Sequence, residues 1–304
     1  MPGRVAAGVV LVAVVAAALA GGTALAAEKE YAVKGMVLSV DPAAKRFTVS
    51  HERIAGLMDA MTMPFEVRQP GELRGVAAGA IVEFTLVVSE ESSFATRITV
   101  RRYRTVERDP ATARRLSVMK RMAGVTSPPV ATGAKVPDFA LIDQTGRRVT
   151  LSSFIGEVVV VNFLYTRCAL PQFCLRMANN FGALQKRFSG EVGRDLRLLT
   201  ITFDPERDTP EVLAEYASRW QANPVGWRFL TGSATEIGRV CALFGQEAFP
   251  DEGLMNHSLH TAVIDRRGTL VANIEGNQFT PEQLGDLVRA TLNVERRLQP
   301  PRER

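Results

Sequence analysis

Two groups of residues in this chain have the types and spacing to do chemistry. The first is a cysteine pair, Cys168 and Cys174, in Tyr165-Thr-Arg-Cys168-Ala-Leu-Pro-Gln-Phe-Cys174, with His257 far along the chain in Met255-Asn-His-Ser258. In a continuous helix a separation of six residues leaves the two sulfurs about 9 Å apart along the axis, too far for a disulfide or a shared metal. Pro171 argues instead for a loop, with a helix starting near Phe173, and a loop can fold the sulfurs together. Near a helix N-terminus the Cys174 thiolate would be stabilised by the dipole. The pair by itself is open to three readings: a structural disulfide, a redox dithiol of nucleophile and resolving thiol, or two metal ligands. His257 favours the metal, because two thiolates and one imidazole suit copper in either oxidation state. His260 would fall on the opposite strand face from His257, outside the ligand set. Cys241, between Val240 and Leu243, is expected in a helix facing core.

The second group is His51-Glu-Arg-Ile-Ala-Gly-Leu-Met58-Asp-Ala-Met61-Thr-Met63. Met61 and Met63, two apart in a strand, point the same way. Thioethers beside an imidazole make a soft, neutral site suited to Cu(I), while the bland reading of strand methionines is core packing.

Elements of two kinds must position these residues. Tyr31–Val40, Arg46–His51, Met61–Val67, Ala80–Val88 and Ala95–Tyr103 read as short alternating strands broken by Gly, Pro and Asp-Pro signals, a small all-β barrel of OB-like type. From Val136 strands alternate with helices. Val158–Tyr165 is a continuous apolar run, as for a strand buried on both faces. A helix to about Phe188, a strand Leu196–Phe203, a helix Thr209–Gln221, a strand Trp227–Leu230 and a helix Ser233–Phe244 follow. A hairpin of Leu259–Asp265 and Thr269–Ile274 and a last helix Pro281–Leu298 complete a thioredoxin-like α/β order. The cysteines stand at a strand-to-helix turn, where sites gather in open α/β sheets.

The second half resembles the Sco/SenC family in Val136-Pro-Asp-Phe139, Asn162-Phe-Leu-Tyr-Thr-Arg-Cys168, Phe203-Asp-Pro-Glu-Arg-Asp-Thr-Pro210, Trp227-Arg-Phe-Leu-Thr-Gly232 and His257-Ser258. That resemblance implies a thioredoxin fold over 136–299, copper ligands at Cys168, Cys174 and His257, and a role in assembling the copper site of cytochrome oxidase. The family spacing is C-x-x-x-C, whereas five residues intervene here. Asp204 and Asp208 match the family's strand-end motif and read as loop and capping residues, or as groups that influence the ligands from behind. Residues 31–103 resemble the CusF-like copper-binding domains through Met61-Thr-Met63, which implies ligation by His51, Met61 and Met63. The aromatic that caps copper in some members is replaced by Met58, a candidate fourth ligand.

The remaining sequence bounds these readings. Arg4, the apolar run Val5–Ala20 and Ala24-Leu-Ala26 form a secretory signal over 1–26, or an anchor if residues 5–20 are retained, and place the working part in the periplasm or otherwise outside the cytoplasm. Residues 104–135 read as a basic helix, bracketed by Asp109-Pro110 and Gly124, followed by a loose linker. Eight Lys/Arg between Arg101 and Arg121 face two acids. The formal charge of +5 gives no support to nucleic-acid binding, and no phosphate-cradling glycine motif is present. The expected function is a copper chaperone serving an oxidase subunit or other cuproenzyme and a thiol reductant, more a carrier than an enzyme. The barrel would hold Cu(I), and the second domain Cu(I) or Cu(II). The alternatives are a thiol–disulfide oxidoreductase or peroxidase using Cys168 and Cys174, and a copper buffer or sensor.

Overall fold

The computed structural model describes residues 28–101, 128–168, 170–251 and 254–296. The signal segment, the basic helix and most of the linker expected from the sequence lie outside the described residues.

The first sheet contains β1 (Lys29–Asp41), β2 (Arg46–His51), β3 (Met61–Glu66), β4 (Ile81–Val88) and β5 (Ser93–Val100), all antiparallel in the order β3-β2-β1-β4-β5. A parallel bridge between Val67 and Ala95 brings the β3 end against β5, so the sheet curls toward closure in the manner of an OB-like barrel. Alternation supplies its core: Val33, Val37, Phe47, Val49, Phe65, Val82, Phe84 and Leu86 point inward. Phe65 stands edge-on to Phe84 at 4.9 Å between ring centres.

The second sheet begins with a strand pair absent from the sequence reading, β6 (Ala140–Asp143) and β7 (Arg148–Thr150). Then come β8 (Val158–Leu164), α1 (Arg176–Arg187), β9 (Leu196–Thr202), α2 (Pro210–Arg219), β10 (Trp227–Thr231) and α3 (Ala234–Phe244). A small hairpin of β11 (Ala248–Asp251) and β12 (Leu254–His257) precedes β13 (His260–Ile264), β14 (Leu270–Glu275) and α4 (Pro281–Arg296). The sheet order is β14-β13-β8-β9-β10-β6-β7. β8, β9 and β10 run parallel, and β13 pairs antiparallel with β8, which gives the thioredoxin-like α/β core. Every residue of β8 and β9 is buried, as two-sided cover by helices requires. Local signals place the helices: Thr209 caps α2 with Pro210 at its first position, and Ser233 and Glu236 close a capping box on α3, which ends at the left-handed Gly245.

Two details differ from the sequence reading. The segment Pro171–Leu175 forms one wide π-helical turn, and regular helix starts only at Arg176. His257 closes the β11–β12 hairpin rather than entering the next strand, so it and His260 belong to different strands. The β11 segment escaped notice because its four residues, Ala-Phe-Pro-Asp, carry a proline and no alternation.

Candidate metal centres

The loop after β8 brings the distant residues together. The sulfurs of Cys168 and Cys174 and a ring nitrogen of His257 all lie within 4.8 Å of one another, with both cysteines buried and His257 half-buried. Cys174 Sγ is 4.0 Å from His257 Nε2. His257 Nδ1 sits 2.8 Å from the Ser258 carbonyl oxygen, which can only accept. His257 Nδ1 therefore donates to that carbonyl, and Nε2 is turned to the sulfurs. Tyr165, Phe173 and Phe203 surround the imidazole, with Phe203 4.8 Å away between ring centres.

The acids of the strand-end motif do more than cap. Asp208, fully buried, accepts hydrogen bonds from the Thr166 backbone N–H (3.1 Å), the Thr166 hydroxyl (2.5 Å) and the Thr202 hydroxyl (2.5 Å). It thereby ties the end of β9 to the residue two before Cys168. Asp204 pairs with Arg167 at 2.9 Å and with Arg207 at 3.4 Å. From the other side the Asn277 amide donates to the Gln172 carbonyl inside the π turn. Sequence reasoning missed Asn277, whose only signal was a polar residue in the turn between β14 and α4.

The electrostatics reverse one expectation. Cys168 is lowered from 9.0 to about 4, chiefly by the hydrogen bond donated from the Cys174 thiol, against the opposing cost of burial and with help from His257. Cys174 is pushed upward by that same bond, by burial and by the neighbouring Cys168 charge. A helix dipole would favour Cys174 at a regular N-terminus, but Cys174 sits in a wide turn before the helix and is the deeper of the two. Cys241 is buried on α3 and pushed up to about 12 by desolvation, as a packed thiol should be. His260 engages Asn273 at 3.2 Å, away from the cysteines.

In the barrel, register places His51 opposite Met61 and Val49 opposite Met63. Directly opposed residues share a face, so His51, Met61 and Met63 line one inner wall, next to Phe65. His51 is buried, Met63 half-buried, and Met61 stands at the rim, 52% exposed. His51 Nδ1 lies 2.7 Å from the Glu52 carbonyl oxygen, while its buried Nε2 has no hydrogen-bond partner. An unpartnered buried nitrogen on the strand face that also carries Met61 and Met63 is what a soft monovalent cation would complete, and the cost of leaving it bare favours a ligand there. Met58 packs half-buried against the barrel core in a tight turn closed by paired hydrogen bonds with Ile54.

A parallel core with a Cys, Cys, His cluster beyond the carboxyl end of β8 defines a thioredoxin-fold protein with a soft-metal or thiol centre. More narrowly, residues 129–293 match the SCO1/SenC family model, and the chain belongs to that family. Residues 30–100 match the model for the copper binding periplasmic protein CusF. Protein sco1 of Schizosaccharomyces pombe is 32% identical over 154 residues, covering 48% of this chain and 56% of that protein. The SCO1 protein homolog of Bacillus subtilis is 35% identical over 104 residues, covering 34% of this chain and 52% of that protein. The chain thus spans about half the length of these curated relatives. The solved structure of Arabidopsis thaliana ScoI with copper bound is 27% identical, with a TM-score of 0.46 over 52% of this chain and 98% of that one.

Proposed function

We propose that this protein is an extracytoplasmic copper carrier with two binding sites, Cys168/Cys174/His257 in the thioredoxin-like half and His51/Met61/Met63, with Met58 adjacent, in the barrel. Its task in this reading is to hand copper to a cuproenzyme, with the copper site of cytochrome c oxidase as the recipient the family suggests. The observation that carries the proposal is the convergence of two sulfurs and one imidazole, drawn from segments more than eighty residues apart, to within 4.8 Å. Supporting it is the unpartnered His51 nitrogen beside the methionines. Placement outside the cytoplasm rests on the leader-like first 26 residues and on the periplasmic CusF model. Among the described residues no helix is long and apolar enough to cross a membrane.

The two donor sets divide the work by charge. The barrel offers neutral ligands that neither deprotonate nor form disulfides, so it can hold Cu(I) in oxidising surroundings. The thiol pair binds more strongly when reduced and is silenced when oxidised. The competing reading, a thiol–disulfide oxidoreductase or peroxidase, draws on the low-lying Cys168 thiol. Copper stoichiometry under reducing conditions separates them. The full chain should bind two Cu(I), and Cys168→Ser, Cys174→Ser or the pair Met61→Leu, Met63→Leu should each remove one. Unchanged copper content in Cys168→Ser would sink the ligand assignment. Full reductase turnover in a His257→Ala variant that no longer binds copper would favour the redox reading.

A further inference from the structure

The barrel is seated on the thioredoxin-like half by the very strands that carry its metal residues. Asp286 of α4 accepts a hydrogen bond from the Ser50 hydroxyl at 2.7 Å and from the Thr62 hydroxyl at 3.0 Å, both on Oδ2. Its Oδ1 pairs with Arg187 of α1 at 2.5 Å. Gln283 of the same helix donates from Nε2 to the Ser50 carbonyl at 3.3 Å, while its Oε1 accepts the Thr280 N–H at 3.0 Å and so caps α4. Ser50 precedes His51, and Thr62 lies between Met61 and Met63. By strand alternation these hydroxyls face outward from the wall whose inner side presents His51, Met61 and Met63.

Apolar contacts make the seat a built one. Met36 on β1 is fully buried and joins Leu38 and Ile81 in the core of the second half rather than in the barrel's own. A Cβ at Gly79 would fall 2.7 Å from the Ala272 side chain on β14, so only glycine permits this approach. The barrel wall is therefore backed by α4 through a buried, hydrogen-bonded contact, unlike the free tether that the linker composition suggests.

We propose that α4 is the outer wall of the barrel's Cu(I) site and that Asp286 is a positioning residue for His51, Met61 and Met63. The inference rests on the copper reading given above. With one carboxylate oxygen holding a hydroxyl beside His51 and a hydroxyl between the two methionines, Asp286 sets the spacing of β2 and β3 at the ligand level. Groups that orient ligands from behind typically carry about 10- to 100-fold in metal affinity.

The test uses the full chain carrying Cys168→Ser and Cys174→Ser, so that only the barrel site competes with a Cu(I) chelator. Asp286→Ala should weaken Cu(I) binding by at least about tenfold. Asp286→Asn, which keeps an acceptor oxygen, should recover most of that loss. Thr62→Val should weaken binding, and combined with Asp286→Ala it should add little, since Asp286→Ala already removes the only bond that Thr62→Val removes. In the metal-free protein, hydrogen exchange of β3 amides should quicken in Asp286→Ala, with the rest of the fold unchanged. Equal affinity and equal exchange in parent and Asp286→Ala would overturn the role of Asp286. A parent that takes up no Cu(I) would overturn the copper reading and this inference with it.

Discussion

At the scale of single residues, the two cysteines are chemically unequal although they share one centre. Cys168 receives the hydrogen bond of the Cys174 thiol and sits nearer the surface of the loop, so its charge is the one the site stabilises. In the reduced, metal-free chain, alkylation of Cys168 by a small iodoacetamide should therefore proceed at nearly constant rate from pH 6 to pH 8. An ordinary thiol gains about tenfold per pH unit over that range, because its thiolate fraction rises with pH. The sign follows from the lowered value of about 4: the thiolate is already complete above pH 5 and is lost only as pH falls through 4. Cys174 should resist the reagent throughout. Mapping the modified peptide at each pH checks both statements, and a Cys168 rate that climbs with pH would refute the asymmetry.

At the scale of elements, the cluster depends on one loop held from two sides. Asp208 fastens it to β9, and Asn277 fastens the π turn from beyond β14. Asp208→Ala leaves the hydroxyls of Thr166 and Thr202 without their charged acceptor in a buried place. Bonds of this kind contribute about 1.5–3 kcal/mol, so urea unfolding of the variant should show a loss of at least that order. The Cys168/Cys174/His257 site should weaken toward Cu(I) by about tenfold at the same time. A variant as stable and as tight as the parent would show the acid to be a mere turn former. These links were only half legible in the sequence. The strand β8, the cysteine turn and the His257 loop stood out because apolar runs, proline and rare residue types are local signals. The bonds that join Asp208 to Thr166 and Asn277 to Gln172 link segments more than forty residues apart, and no local pattern records them. The π turn was hidden for a related reason: five residues between the cysteines announce a loop, yet the hydrogen-bond closure that shapes it depends on what packs above.

At the scale of the whole molecule, the barrel strands were readable from alternation and turn residues, whereas the seat of the barrel on α4 was not. Met36 and Leu38 read as ordinary strand hydrophobics, and nothing in the sequence tells an inner face of the barrel from an outer face buried against another domain. The consequence concerns where copper rests. In the proposed carrier the barrel site would offer neutral ligands and the second site two thiols, one of which is already ionised near neutral pH. A single equivalent of Cu(I) should therefore occupy Cys168/Cys174/His257 when the pair is reduced, because thiolates bind the soft cation more strongly than thioethers do. Oxidation of the pair by excess glutathione disulfide forms one S–S bond and releases two glutathione thiols, which removes both thiolate ligands. Copper should then move to His51, Met61 and Met63, which such oxidation leaves untouched. Because the two halves are packed together, this partition should not depend on protein concentration. The check is to add one equivalent of Cu(I) to reduced and oxidised chain, under a chelator that scavenges free metal and outcompetes glutathione. The methionine methyl resonances and the thiolate-to-copper absorption then report each site. Methyl shifts should appear only in the oxidised chain and vanish in its Met61→Leu, Met63→Leu variant. Equal methyl shifts in both redox states would show that the thiols do not govern the barrel, and loss of all copper on oxidation would show that the barrel cannot hold it alone.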